Sequence, residues 1–386
     1  MTMATLTETQ TEQPEYVYFH YDGDWGHKRE VLKGDKKKKT FTEIPVIDVS
    51  GIWSDDFKVR LKVANEVAEA CESCGFFYVK NHGIDQKLIE ETIESNKRYF
   101  AKPLEVKMRE HIYKSRTLRG YEPVHGAKLD MNTKLGDRKE SFLYNYDPEE
   151  DPIPPTMTDE QRALLSENLW PEDDSEFKRE CFAYHTALIT YARKMMQIFA
   201  LGLGESEDYF DEYITAPNTS CKKILYPPQE VDNTDETGIG AHTDFVCKVL
   251  LFFAYVPGLI AAGFTTLYQD SVGGLEALNA NGEWIPAVPI PGTFVVNIGD
   301  FLMRMSNNRF LSTVHRVKNI SGRERHAMPF FFSLNMDAPV KVLPSCQSES
   351  NPAKYEPITV AEYYRQRHEK QRRKHVQREA GLSSVS

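Results

Sequence analysis

From Cys221 onward the chain is cut into short apolar runs separated by turn residues: Lys223–Tyr226, Gly240–Phe245, Phe264–Tyr268, Leu275–Leu278, Thr293–Ile298, Thr313–Val317 and Met328–Leu334. Runs of this length suit strands and are too short for stable helices, and their regular spacing leaves little room for crossover helices. An all-β sandwich or barrel accommodates such a pattern. The first half reads differently. Phe57–Cys74 places Val63, Val67, Ala70 and Cys74 on one helical face, and Lys87–Phe100 and Phe177–Gly202 read as two further helices, closed by Pro103 and by Gly202 and Gly204. Ile44–Asp48 and Phe76–Val79 read as short strands, while residues 120–160, broken by prolines at 123, 148, 152, 154 and 155, read as irregular.

At 386 residues, with 40% hydrophobic and 27% charged residues, the chain can bury a full core as one elaborated domain or two small ones. That composition excludes a collagen, a mostly disordered chain and a disulfide scaffold. A net charge of −10 argues against bulk binding to nucleic acid or to an anionic membrane. The six cysteines suit a reducing compartment, and Cys71 and Cys74, with no second CxxC nearby, read as buried structural thiols. Neither end carries a secretory or peroxisomal signal. The most apolar stretch, Val249–Gly263, is interrupted by Pro257-Gly258 and falls short of the roughly 18–20 residues of a membrane span. These features predict a soluble, cytoplasmic protein.

Chemistry concentrates in His242-Thr243-Asp244 and His315. Alternate residues of a strand share a face, so His242 and Asp244 point the same way, and a later strand carrying His315 can bring a third ligand to the same spot. Two imidazoles and one carboxylate on one side of a metal leave the other side open, the arrangement of non-haem Fe(II) oxygenases; the same three groups could also hold zinc, although no general base for hydrolysis stands near them. Arg325 follows His315 across an apparent hairpin turn at Ser321-Gly322, and its guanidinium can pair with a carboxylate bound beside the metal. A non-enzymatic jelly-roll binding protein is a third class, which the intact triad argues against.

With these residues the chain resembles the iron(II)/2-oxoglutarate-dependent oxygenases of the isopenicillin N synthase-like branch, which includes many fungal biosynthetic enzymes. The resemblance covers most of residues 43–365. It rests on Ile44–Asp48, Gly75–Gly83, Gly240–Asp244, Tyr268–Asp270, Gly273–Leu275, Asn297–Asp300, Asn308-Arg309 and Ser312–Arg316. It implies a mainly β fold with flanking helices: a double-stranded β-helix, or jelly roll, preceded by a helical N-terminal segment. Residues 1–40 would be a disordered or loosely packed tail, 41–205 the N-terminal helical/β segment, 206–345 the jelly-roll domain, and 346–386 a linker and basic C-terminal helix. The resemblance further implies that His242, Asp244 and His315 bind Fe(II), and that Arg325 and Tyr226 hold 2-oxoglutarate. His82, Asn297 and Asp300 would be turn-makers. O₂ would be the oxidant, with ascorbate as an accessory reductant. A small organic substrate would be hydroxylated, desaturated or cyclised, in secondary metabolism. Phe142 and Phe330–Phe332 are candidates for the pocket wall.

Two features depart from the family pattern. Where the family carries Arg-x-Ser, this chain has Arg325-His326-Ala327. Losing that hydroxyl removes a hydrogen bond to a charged group, worth about 1.5–3 kcal/mol. Alternation points His326 to the opposite face, so it cannot substitute. This keeps open an oxidase that does not use 2-oxoglutarate, with Arg325 on a substrate carboxylate. The second departure is the His242–His315 separation of 73 residues, longer than the family's usual spacing. The surplus is the 16-residue segment Lys248–Gly263: without it, His-Thr-Asp-Phe-Val-Cys runs directly into Phe264-Thr-Thr-Leu-Tyr-Gln-Asp. The genetic code allows this segment to be an unspliced intron translated in frame, with a donor site across Cys247-Lys248 and an acceptor across Ala262-Gly263. The alternative is a genuine apolar hairpin or lid. Either way, Leu250, Leu251, Phe252, Phe253 and Tyr255 place an aggregation-prone run just after the ligand pair. Deleting 248–263 is therefore expected to raise both the melting temperature and the activity, measured side by side by thermal unfolding and succinate release. Equal melting and equal activity of the two chains would contradict this reading.

Overall fold

Period-two alternation along the strands sorts their side chains between two environments, and this sorting builds the molecule. The computed structural model describes residues 14–21, 24–115, 117–153, 155, 157–158, 168–229, 236–244 and 262–366. The strands are β1 (Tyr16–Tyr21), β2 (Asp24–Glu30), β3 (Val46–Asp48), β4 (Phe76–Lys80), β5 (Gly120–Glu122), β6 (Glu140–Asn145), β7 (Thr219–Tyr226), β8 (Ile239–His242), β9 (Phe264–Gln269), β10 (Leu275–Leu278), β11 (Trp284–Pro286), β12 (Thr293–Ile298), β13 (His315–Val317), β14 (Arg325–Phe332), β15 (Pro339–Val340) and β16 (Ile358–Thr359). The helices are α1 (Phe57–Ser73), α2 (Gln86–Phe100), α3 (Leu104–Lys107), α4 (Ser175–Leu203) and α5 (Asp300–Met305).

An eight-stranded sheet runs β3-β4-β12-β9-β14-β7-β6-β5 and a six-stranded sheet runs β11-β10-β13-β8-β1-β2. The two sheets are the layers of a jelly roll. On the larger sheet Phe77, Val79, Phe294, Val296, Met328, Phe330 and Phe332 share one buried core with α1, α2 and α4. Their alternates Phe76, Tyr78, Val295, Ala327, Ile224 and Tyr226 form a second core with Leu275, Ala277 and Val317 of the smaller sheet. One face of the large sheet is thus packed by helices, and the other faces the inter-sheet space.

Capping residues account for the helix limits. Asp56, Asp85 and Asp174 accept backbone N–H groups of Lys58, Lys87 and Phe177 at the starts of α1, α2 and α4. Gly204 closes α4 in the left-handed conformation, at φ 87°.

Several expectations are corrected. Residues 16–30 are not a loose tail: β1 pairs antiparallel with β2 and parallel with β8, so the smaller sheet extends into the N-terminal segment. The run Tyr16–Tyr21, rich in aromatic residues with one β-branched valine, carried that signal. The irregular reading of 120–160 missed β5 and β6. β6 is buried along its whole length although it contains Glu140, Ser141 and Asn145. Its polar groups find partners only in the fold: Glu140 accepts from Lys107 Nζ and from the Tyr121 hydroxyl, both at 2.6 Å. The Ser321-Gly322 turn does not make a hairpin, because β13 belongs to the smaller sheet and β14 to the larger. In the C-terminal region, β16 pairs with β15 and residues 360–366 are helical. The basic residues Arg367, Lys370, Arg372, Arg373, Lys374 and Arg378 lie outside the described residues, as does the insertion 248–263 apart from Ala262 and Gly263.

The α1–β4 turn ties the helical layer to the strand bearing His315. Gly75 has φ +71°, and a Cβ there would sit 2.2 Å from the Leu311 carbonyl oxygen. Thr313 Oγ1 donates to the Cys74 carbonyl at 2.6 Å. Gly75→Ala is therefore expected to destabilise the fold by about 1–3 kcal/mol through backbone strain and displacement of the 311–313 segment, read by urea unfolding.

Candidate metal centre

His242 ends β8 and His315 opens β13, and the antiparallel register sets the two directly opposite each other. Their ring centroids lie 4.3 Å apart. The Nδ1–H of His242 donates to the Gly240 carbonyl at 2.7 Å, and that of His315 to the Thr313 carbonyl at 3.1 Å. Since a carbonyl can only accept, both protons sit on Nδ1 and both Nε2 lone pairs are free for a ligand. Each Nε2 faces Asp244 Oδ1, at 3.9 Å from His242 and 3.4 Å from His315. Among the described residues these three supply ligand atoms within 4.8 Å of one another, close enough to surround a single ion.

Asp244 arrives there differently from the sequence expectation. β8 ends at His242, so strand alternation does not aim the carboxylate. Instead Thr265 Oγ1 on β9 and Asn297 Nδ2 on β12 each donate to Asp244 Oδ2 at 2.5 Å. Oδ2 is thereby occupied, and Oδ1 is presented to the two imidazoles. Asn297 lies within a strand and tethers Asp244, and is not the turn-maker expected. Thr265 was not singled out at all; the polar alternates in the apolar β9 and β12 runs were the available signal.

The electrostatics suit a cation. Burial pushes the His242 imidazole down to about 3, and the neighbouring His315 adds to the effect. For Asp244, burial alone would raise the carboxyl, but His315, His242 and the Asn297 hydrogen bond hold it well below the usual range. Burial likewise opposes protonation of His315, yet the Asp244 charge keeps that imidazole above its ordinary value. An anionic carboxylate buried between two imidazoles fits a divalent metal better than it fits an empty core.

The triad opens on a cavity of about 100 Å³ between the sheets, which Arg325 and Tyr226 also line. Arg325 opens β14 opposite Tyr226, fully buried, with its guanidinium carbon 4.7 Å from the tyrosine ring centroid. Its Nη2 reaches Gln269 Oε1 at 3.5 Å, while its Nε and Nη1 have no hydrogen-bond partner among the described residues. A buried guanidinium with two orphaned donors is costly unless a guest carboxylate completes it. Ala327 lines the same cavity, whereas His326 faces α2, its Nδ1 3.5 Å from Asn96 Nδ2. Phe142 is corrected: it packs against Tyr99, Phe177 and Trp170 on the helical side. Of Phe330–Phe332, Phe331 lines the cavity and its two neighbours lie in the helix-facing core. His82 accepts from the Ile84 N–H at 3.2 Å and stays in its turn. The described cysteines are free and buried, as structural thiols would be.

A jelly roll carrying a His-Asp-His cluster beside a buried arginine defines a non-haem metal oxygenase. Comparisons give the same class. Residues 44–173 match the family described as the N-terminal region of a non-haem dioxygenase in morphine synthesis, and residues 218–334 match the 2OG-Fe(II) oxygenase superfamily. The 2-oxoglutarate-Fe(II) type oxidoreductase hxnY of Emericella nidulans is 35% identical, over 84% of this chain and 89% of the relative. Homoarginine-6-hydroxylase 2-ODD-233 of Oryza sativa is also 35% identical, over 84% of this chain and 95% of that protein. Among solved structures, full-length Neurospora crassa T7H in complex with alpha-KG superposes with a TM-score of 0.70 at 28% identity, over 84% of this chain and 95% of that one. The chain belongs to the 2-oxoglutarate–Fe(II) oxygenase family, and is an oxidoreductase that uses Fe(II), 2-oxoglutarate and O₂ on a small molecule. No described helix is long and apolar enough to cross a membrane.

If Thr265 and Asn297 aim the carboxylate, removing their hydrogen bonds loosens the ligand without deleting it. Thr265→Val and Asn297→Leu are expected to lower Fe(II) affinity by about 10–100-fold with the fold retained, measured by competition with a chromophoric chelator and by circular dichroism. Unchanged affinity in both would remove the tether from the site.

Proposed function

We propose that His242, Asp244 and His315 hold the catalytic Fe(II), and that Arg325, braced by Tyr226, receives the distal carboxylate of 2-oxoglutarate. The observation that carries this reading is the pair of orphaned, fully buried Arg325 donors in the cavity that the triad also lines. When bound, iron and 2-oxoglutarate supply O₂-dependent oxidation of a substrate C–H bond coupled to release of succinate and CO₂. The protein's own part is positional. The two imidazoles and Asp244 Oδ1 form one face and leave the other open. The Arg325 guanidinium, stacked near the Tyr226 ring, fixes one end of the cosubstrate. Phe76, Leu267 and Phe331 make the neighbouring wall apolar, which excludes water and strengthens the charge interactions inside.

The expected reaction is hydroxylation, desaturation or ring closure of a small organic molecule, in secondary metabolism and in the cytoplasm, with no nucleic-acid partner. Relatives of this chain act on small polar molecules by their names, homoarginine in rice and thymine in a Neurospora crassa complex. Ala327 favours a second reading, an oxidase in which Arg325 takes a substrate carboxylate instead.

Anaerobic titration with Fe(II) and 2-oxoglutarate, followed by the weak visible band of the chelate, tests the assignment. The band should vanish in His242→Ala. In Arg325→Met, losing the buried charge-assisted pair should weaken 2-oxoglutarate binding by about 2–5 kcal/mol, or about 30-fold and more. The same variant should melt no lower than the parent without 2-oxoglutarate, since it removes an unpaired buried charge. Iron binding without the band, together with turnover that releases no succinate, would favour the oxidase.

A further inference from the structure

The cavity has a second polar feature, away from Arg325. Glu122 Oε2 accepts from Lys139 Nζ at 2.9 Å, Lys222 Nζ at 3.1 Å and Ser141 Oγ at 3.1 Å. Lys139 and Lys222 both line the cavity, and so does Asp137. All four charged groups are buried. Asp137 Oδ1 accepts from the Leu129 N–H at 3.3 Å, but Asp137 Oδ2 is buried without a hydrogen-bond partner among the described residues.

The backbone around Asp137 is rigidly held. Its N–H donates to the Ala127 carbonyl at 2.7 Å, its carbonyl accepts from the His125 N–H at 3.1 Å, and the next residue, Arg138, donates from its N–H to the Thr237 carbonyl at 2.8 Å. The Gly240 N–H, two residues before His242, also faces the Asp137 carboxylate. A group seated on Oδ2 therefore lies beside the strand that carries the candidate metal ligand. Burial raises the Asp137 carboxyl to about 6, which marks an anion poorly compensated by its surroundings.

Charge decides what kind of guest fits. Two ammonium groups and two carboxylates sum to zero across Asp137, Lys139, Glu122 and Lys222. A cationic or anionic guest would leave a net buried charge, while a neutral hydrogen-bond donor satisfies the orphaned oxygen without one. Lys222, on β7, has one acceptor among the described residues, Glu122, and can donate further to a carbonyl.

We propose that Asp137 and Lys222 are specificity-determining residues that read a neutral N–H beside a C=O, so that the substrate is an amide, lactam or cyclic imide. Asp137 accepts from the N–H and Lys222 donates to the carbonyl, while the apolar wall holds the carbon skeleton toward the metal. This inference rests on the oxygenase reading above and narrows its substrate class.

The test uses three six-membered rings of one size: 2-piperidone, cyclohexanone and piperidine. Each is titrated calorimetrically under argon into the full chain loaded with Fe(II) and 2-oxoglutarate. A site built to pair an N–H rejects cyclohexanone, which lacks one, and a site of zero net charge rejects piperidine, a cation near neutral pH with no carbonyl, so 2-piperidone should bind at least about tenfold tighter than either. Asp137→Ala should erase the difference between 2-piperidone and cyclohexanone while leaving the chelate band intact. Equal binding of 2-piperidone and cyclohexanone, tightest binding of piperidine, or a preference unchanged in Asp137→Ala would each overturn the proposal. Should that variant fail to fold, the three-probe comparison on the parent chain decides alone. If the parent shows no chelate band, the metal and cosubstrate assignment fails separately, and the comparison repeated without iron still judges Asp137.

Discussion

The antiparallel pairing of β8 with β13 is the interaction on which the site depends. It sets His315 opposite His242 and brings two imidazoles from distant parts of the chain to a centroid separation of 4.3 Å. Backbone carbonyls two residues upstream of each histidine then select the Nδ1–H tautomer, so both rings offer Nε2. A slip of one residue in this pairing would send one ring to the opposite face. Asp244 needs another device, because its strand has ended. Two donors from β9 and β12 hold one carboxylate oxygen and leave the other facing the two imidazoles. The centre therefore draws on both sheets, and neither sheet alone could form it.

The larger sheet can contribute to the cavity because its other face is fully packed. α1, α2 and α4 bury the alternate side chains of its strands in one continuous core. Hydrophobic burial on that side, at about 25 cal/mol per Å² of apolar surface, provides stability that the polar side does not. The cavity side carries groups that oppose stability in the absence of ligands: an arginine with two orphaned donors, a carboxylate oxygen without a partner and a buried carboxylate between two imidazoles. Lining the space between the sheets with uncompensated polar groups, while the outer face of the larger sheet is well packed, is how a fold keeps a binding site preorganised.

Much of this organisation was legible in the sequence. Strands β10 and β12 have the limits read from their apolar runs, Leu275–Leu278 and Thr293–Ile298, and the three long helices agree within about one turn. These elements are decided by local periodicity and capping, which neighbouring residues carry. β6 was not legible, because Glu140 and Ser141 look like surface residues until Lys107, Tyr121 and Glu122 are brought to them. The N-terminal hairpin was missed for the same reason. Its strand character is completed by β8, more than 200 residues away, through the pairing of His20 with His242.

The sequence by itself determined the class of chemistry. His242, Asp244, His315 and Arg325 could be nominated because their types and order in the chain are enough to suggest an open metal face beside a carboxylate partner. The strand texture around them was enough to suggest an all-β sandwich or barrel, and the family resemblance implied its jelly-roll form. The tertiary structure alone decided how those groups are aimed and what surrounds them. The tether from Thr265 and Asn297, the departure of Phe142 from the pocket, and the wall of Asp137, Lys139 and Lys222 all depend on which strands become neighbours and in what register. The physical reason is that a ligand's identity is local, whereas its orientation, hydration and charge environment are set by groups that only the pairing of remote strands brings within hydrogen-bond distance.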